Sequence, residues 1–353
     1  MAPSIWSANG ILCMGQPMLH QPATISSPRP LGRGLGGEAI LHVCTMISNP
    51  VRYASRYRLY EGFVAQNAGP HVQFWTVEVA YGDRPFMITQ AGNPYHLQVR
   101  TSCELWHKEN ALNLLFAHVV ARRPEAEYFA WVDADLTFVR PDWAFETLQQ
   151  LQHFEVVQMF SFAQDVGPKF APLAAKQHRG FMYAYCNDET FMNTSMRFGY
   201  STNGHPGFAW AARRSALNAV GGLLDFAVTG GADRHMACGL LGTIEQSGPY
   251  RDAKLTDLAP NFRNSLLLWQ ERASVLQRNV GYVDGLVLHQ WHGRKADRKY
   301  GDRWRIYVDN RFDPWTDLRR DVQGLYDLPM GRQKLRDDLR CYFRARNEDS
   351  IDE

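Results

Sequence analysis

The stretch Tyr128–Trp143, YFAWVDADLTFVRPDW, decides how the chain is read. An apolar run, YFAWV, leads straight into two aspartates, Asp133 and Asp135. Such a run, closed by polar residues, marks a strand buried on both faces. Side chains alternate along a strand, so residues two apart point the same way. Two carboxylates placed side by side repel each other unless a positive group lies between or above them. The remaining sequence has to supply that group.

Working outward, the flanking segments alternate between strand and helix signals. AILHVCTMIS (Ala39–Ser48) reads as a first strand, the Asn49–Pro50 turn as its end, and the residues after it as a helix. VQFWTVEVAYG (Val72–Gly82) reads as a second strand and YHLQVRT as a third. In WHKENALNLLFAHVVARRP, Leu112, Leu115, Phe116, Val119 and Val120 form one apolar stripe at helical spacing, which Pro124 ends. Alternation of this kind predicts an α/β fold with a largely parallel sheet covered on both sides. In such sheets ligands gather at the carboxyl ends of the strands, where Asp133 and Asp135 fall.

Downstream, EVVQMFSF (Glu155–Phe162) reads as another strand, and residues 163–206 read as a long polar and aromatic loop or lid. GFAWAARRSALNAVGGLLDF reads as strand, helix and a Gly–Gly stop. TGGADRHMACGLLG places two glycines before Asp233 and an apolar helix, and YVDGLVLHQWHG empties a strand into His289 and His292. Residues 1–37, rich in Pro, Gly and Ser, read as an extended or mobile arm. The expected organisation is that arm, a domain over 38–295 (38–140 for nucleotide, 141–295 for acceptor and catalysis), and a C-terminal helical extension over 296–353.

Composition excludes some classes. The chain has 353 residues, 45% hydrophobic, with a formal net charge of +2. That balance forces no polyanionic partner. Six cysteines without a CxxC pair indicate neither a zinc cluster nor a disulfide framework. They read as reduced thiols in a reducing compartment. The N-terminus lacks a basic n-region, and no apolar run approaches a membrane span, so the expectation is a cytoplasmic protein.

Several polar groups stand where chemistry is expected. Asp133 and Asp135 read either as a surface turn or helix N-cap, or as hard oxygen ligands for Mg²⁺ or Mn²⁺ holding phosphates. His289 and His292 are structural residues or further ligands, and imidazole beside carboxylate favours Mn²⁺. Asp233 is an N-cap or a general base brought close to substrate by the preceding glycines. Arg52, Lys108, Asn110 and Asn113 are solvated surface or a nucleotide-binding set with Asp133. The basic segment WHGRKADRKYGDRWR (Trp291–Arg305) is a solvated face or a diphosphate clamp.

The order of these motifs resembles nucleotide-sugar glycosyltransferases of the GT-A fold, and among them the inverting beta-1,4-galactosyltransferase kind. NPVR (Asn49–Arg52) is similar to that family's nucleotide-holding Pro-x-Arg turn, and KENALN to its Lys-x-x-x-Asn helix. Asp133-Ala134-Asp135 matches its Asp-x-Asp, whose second aspartate binds metal. GGAD matches the segment carrying the catalytic base, which implies Asp233, and HQWHG the metal histidine. The likeness spans about Leu41–Gly293. Thr229 stands where the family has tryptophan, and Arg234–His235 replaces its acidic run, which bears on sugar and acceptor preference. The resemblance implies an inverting, Mn²⁺- or Mg²⁺-dependent transfer from a nucleotide-sugar, a UDP-sugar first, to an acceptor hydroxyl on a glycan or a hydroxylated base in DNA. Two other readings stay open: a two-metal nucleotidyltransferase, and a sugar- or nucleic-acid-binding module of this fold without catalysis.

Overall fold

The apolar stretch before Asp133 forms the strand Tyr128–Val132, and its alternation fills two separate cores. Phe129 and Trp131 pack into one buried cluster, Ala130 and Val132 into the other. A computed structural model of the chain describes residues 39–193, 203–248, 254–299 and 302–351. The arm expected over 1–37 and part of the expected 163–206 loop lie outside the described residues.

The strands of the two larger sheets are β1 (Leu41–Ser48), β2 (Val72–Tyr81), β3 (His96–Thr101), β4 (Tyr128–Val132), β5 (Leu136–Phe138), β6 (Val156–Gln158), β7 (Phe162–Val166), β8 (Pro172–Arg179), β9 (Ala209–Arg213), β10 (Val280–Tyr282) and β11 (Leu286–His289). A seven-stranded sheet runs in the order β10-β6-β9-β4-β1-β2-β3. Every neighbouring pair in it is parallel except those of β9, which runs antiparallel to both β4 and β6. The mostly parallel sheet expected from the sequence is therefore present.

Helices cover both faces. The first are α1 (Ala54–Asn67), α2 (Lys108–Arg122), α3 (Trp143–His153) and α4 (Phe181–Asn187). The stripe of α2 meets the Phe129 and Trp131 side of β4, with Phe116 edge-on to both rings. Phe116 is 1% exposed, and truncating it to alanine would cost about 3–5 kcal/mol. Leu148 and Leu151 of α3 pack on the opposite side. Further along come α5 (Arg214–Val220), α6 (Ala232–Leu240), α7 (Pro260–Ala273), α8 (Asp302–Asp309), α9 (Pro314–Asp317) and α10 (Gln333–Ala345). Among the described residues no helix is long and apolar enough to cross a membrane. Cys44, Cys103 and Cys238 are buried free thiols, and Cys186 and Cys341 are exposed ones.

Three sequence readings change. Glu155–Phe162 is not one strand: the chain leaves the main sheet after Gln158 and enters a second sheet at Phe162. The strand before His289 likewise splits into β10 and β11, one in each sheet. The span read as an irregular loop begins with the β7–β8 hairpin and α4. The second sheet runs β5-β11-β7-β8. Its strands are short and mixed in polarity, so no periodic signal marked them.

Candidate metal centre and cleft

From β1 the sheet continues through β2 on one side and β4 on the other, which makes the β1/β4 carboxyl edge the topological switch point. A crevice is expected there. A cleft of about 320 Å³ opens at this place, walled by Ile47–Val51 after β1 and Val132–Asp135 after β4. The aspartates themselves lie past the strand, in the turn between β4 of the first sheet and β5 of the second.

The two carboxylates are met from two sides. Lys108, the first residue of α2, forms an ion pair with Asp133. Asp135 faces histidines: its Oδ2 lies 3.1 Å from His292 Nε2 and 3.9 Å from His289 Nε2. The two Nε2 atoms are 3.2 Å apart. Ligand atoms of Asp135, His289 and His292 all fall within 4.8 Å of one another. His289 reaches this point because β11 pairs with β5 and β7, which sets it opposite Leu136 and Asp165. The Gln290 amide donates to the Asp135 carbonyl at 2.8 Å and fixes the two loops together.

Electrostatics favour ligation. Burial, with Arg298 close by, lowers His292 to about 3, so its imidazole is neutral at neutral pH. Burial works against ionisation of Asp135, yet the His292 and His289 imidazoles and the Arg298 guanidinium hold its carboxyl well below the usual carboxylate range. Metal ligands must be in these deprotonated forms. The Asp135 Oδ1 atom is buried and has no hydrogen-bond partner. A buried carboxylate oxygen left bare is costly, and a divalent cation would satisfy it. The donor set of one carboxylate and two imidazoles suits such an ion.

Asp165 had no signal in the sequence. It is 4% exposed, its Oδ1 lies 2.7 Å from His289 Nδ1, and its Oδ2 lies 3.0 Å from His178 Nε2. Lys295 pairs with the same Oδ2. Burial works against its charge, but the bonds from His178, His289 and Lys295 hold it well below the ordinary range.

Across the cleft, Gly230 and Gly231 take left-handed backbone (φ 85° and 94°) and turn the chain into α6, with Asp233 in its first turn. A Cβ at Gly207 would lie 2.4 Å from Asp233 Oδ2, so the carboxylate rests on bare backbone there. Asp233 borders the cleft with Lys108, as does Glu109, which burial pushes up to about 8. Arg234 and His235 do not line the cleft: both are buried and bond to Ser247, Arg234 also to the Gly248 carbonyl.

The remaining expected nucleotide residues separate. Arg52 is exposed, in left-handed backbone (φ 71°) at the exit of the turn, and does not line the cleft; Arg56, one helical turn on, does. Asn110 spends its amide on Gly324 and Tyr326, and Asn113 on both backbone groups of Leu223. Lys108 and Leu112 share the cleft-facing side of α2, and helical spacing turns Asn110 and Asn113 away from it. Lys295, Arg298 and Arg303 of the basic segment line the cleft.

The C-terminal segment forms another wall, through Phe343, Arg346 and Glu348. Asp349 accepts from the first backbone amides of α1, Ala54 at 2.9 Å and Ser55 at 2.8 Å. Tyr53 Oη bonds to the Arg344 carbonyl and the Asn347 amide, and Trp291, between the two histidines, donates to the Ser350 carbonyl at 2.6 Å. The α1 N-terminus, which attracts anions in such folds, is thus filled by the chain's own carboxylate.

No family model and no curated protein matches the chain. Among solved structures it is similar to a mannosyltransferase from Pyrobaculum calidifontis in complex with GDP-Man and Mn²⁺, with a TM-score of 0.34 and 12% identity over 90% of this chain and 72% of that one. It is also similar to a protein described as a nucleotide-diphospho-sugar transferase from Desulfovibrio desulfuricans G20, with a TM-score of 0.30 and 10% identity over 86% of this chain and 98% of that one. Neither likeness is close enough to transfer an activity.

Proposed function

We propose that the chain is a metal-dependent glycosyltransferase of inverting type, with a nucleotide-sugar donor, a UDP-sugar first, and a hydroxyl acceptor. The observation that carries this reading is the convergence of Asp135, His289 and His292, with the bare buried Asp135 Oδ1, at the sheet's switch-point cleft. Asp135, His289 and His292 would hold Mn²⁺ or Mg²⁺, which when bound neutralises charge on a departing diphosphate. The closer resemblance to the beta-1,4-galactosyltransferase kind belongs to this proposal.

Asp233 is the general base. Its carboxylate takes the proton of the acceptor hydroxyl as that oxygen attacks the anomeric carbon. The bond from that carbon to the diphosphate oxygen breaks, and the nucleoside diphosphate leaves with the electron pair. Lys108 holds Asp133 and keeps a positive charge beside the cleft. Nucleotidyl transfer by two metals fits less well, because the metal-ligating cluster found among the described residues contains one carboxylate. Glycans and hydroxylated bases in DNA are the acceptor classes to try.

The test is a panel of nucleotide-sugars incubated with and without Mn²⁺ and Mg²⁺, read by release of free nucleoside diphosphate. Metal-dependent release that Asp135→Ala abolishes is expected. Release of inorganic diphosphate would point to nucleotidyl transfer, and no release from any donor would leave the binding-module reading standing.

A further inference from the structure

The basic segment after His292 and the buried carboxylate of Asp165 meet at one place that the transfer mechanism does not use. Asp165 lies on β7, directly across from His289 on the parallel strand β11. Its two oxygens divide their work. Oδ1 takes His289 Nδ1 at 2.7 Å. Oδ2 takes His178 Nε2 at 3.0 Å together with the Lys295 ammonium. Asp165 is 4% exposed, while Lys295 keeps a partly exposed side chain on the cleft wall.

We propose that Asp165 is the positioning residue of the metal centre: it fixes His289 as the Nδ1–H tautomer and docks Lys295 beside the same ion site. A carboxylate can only accept, so His289 Nδ1 must donate. The ring's other nitrogen, Nε2, then carries a lone pair, and that atom is the one facing Asp135 and His292. A free imidazole would populate both tautomers and rotate, and only one arrangement offers Nε2 to a cation. Such outer partners typically change metal affinity by about 10–100-fold. The second oxygen extends the effect to Lys295. Its ammonium has three donors, and Asp165 takes one of them. The others are left for an anionic ligand at the ion, which makes Lys295 a member of the basic segment able to meet a donor's phosphate.

The inference rests on the triad binding a cation and does not require sugar transfer, so the two readings fail separately. The decisive measurement is binding of Mn²⁺ alone, by titration calorimetry and by the electron paramagnetic resonance signal of free Mn²⁺. Asp165→Asn should weaken Mn²⁺ about 10–100-fold while circular dichroism and melting show a folded protein. In the Asp165→Asn/His289→Ala double variant the loss should equal that of His289→Ala alone, because Asp165 acts through the ring. Lys295→Met should leave Mn²⁺ binding intact and weaken UDP binding in the presence of Mn²⁺.

Unchanged Mn²⁺ affinity in Asp165→Asn, fully additive losses in the double variant, or failure of the wild-type chain to bind Mn²⁺ overturns the assignment. If Asp165→Asn does not fold, nitrogen-15 chemical shifts of the wild-type histidines decide it. His289 protonated at Nδ1 supports the proposal, and protonation at Nε2 refutes it. Tight Mn²⁺ binding by a wild-type chain that turns over no nucleotide-sugar would leave the positioning role intact and remove the transferase reading.

Discussion

Glu348 offers the sharpest perturbation, because its carboxylate is fully buried between two guanidinium groups. Arg346 Nε lies 2.6 Å and Arg56 Nε 2.5 Å from it. Side-chain exposure is 5% for Arg346 and 27% for Arg56, so only Arg56 can turn to water once the carboxylate is gone. Glu348→Gln keeps the shape but removes the carboxylate that faces the buried Arg346 guanidinium. Breaking a buried pair from one side costs about 3–5 kcal/mol, and relief through Arg56 places this case near 3. At about 2 °C per kcal/mol for a chain of this size, melting should fall by roughly 6 °C.

The pH dependence has a definite sign. The two arginines outweigh burial and hold Glu348 well below the ordinary glutamate value. A carboxyl lowered on folding contributes stability that is fully present above its unfolded value, about 4.3, and is lost as pH falls toward the folded one. The melting gap between wild type and Glu348→Gln should therefore be full at pH 7 and shrink below about pH 4. Thermal melts followed by circular dichroism across that range, supported by urea unfolding at pH 7, give the answer. Equal melting at pH 7, or a gap that stays constant to pH 3, would refute the reasoning.

Other expectations follow from the cleft. Asp135→Ala should abolish Mn²⁺ binding in calorimetry and all donor turnover; full turnover in its presence would remove the metal role. Asp233→Asn should bind Mn²⁺ and UDP as wild type does yet lose transfer by at least about 100-fold, the scale of a general base; retained transfer would mean another base or a retaining route. Gly207→Ala puts a methyl against Asp233 Oδ2, so transfer should fall about tenfold or more with Mn²⁺ affinity unchanged, and a fully active variant would show that the carboxylate can move.

The sequence by itself determined what depends on near neighbours in the chain. The stripe of α2 and the apolar run before Asp133 are local signals, and both elements formed where expected. His289 and His292 were legible because a strand end delivers them. Which groups those residues meet was decided by the tertiary structure. Asp165 lies 124 residues from His289 and reaches it only through the β7–β11 register. Glu348 lies 292 residues from Arg56 and reaches it only when the C-terminal segment docks on α1. Asn110 and Asn113 show the reverse: family spacing suggested a nucleotide, but the packing of α2 spends their amides on Gly324, Tyr326 and Leu223. Local periodicity arises from backbone geometry within a turn or two, whereas the partner of a buried charge is chosen by sheet order and register, which no single segment contains.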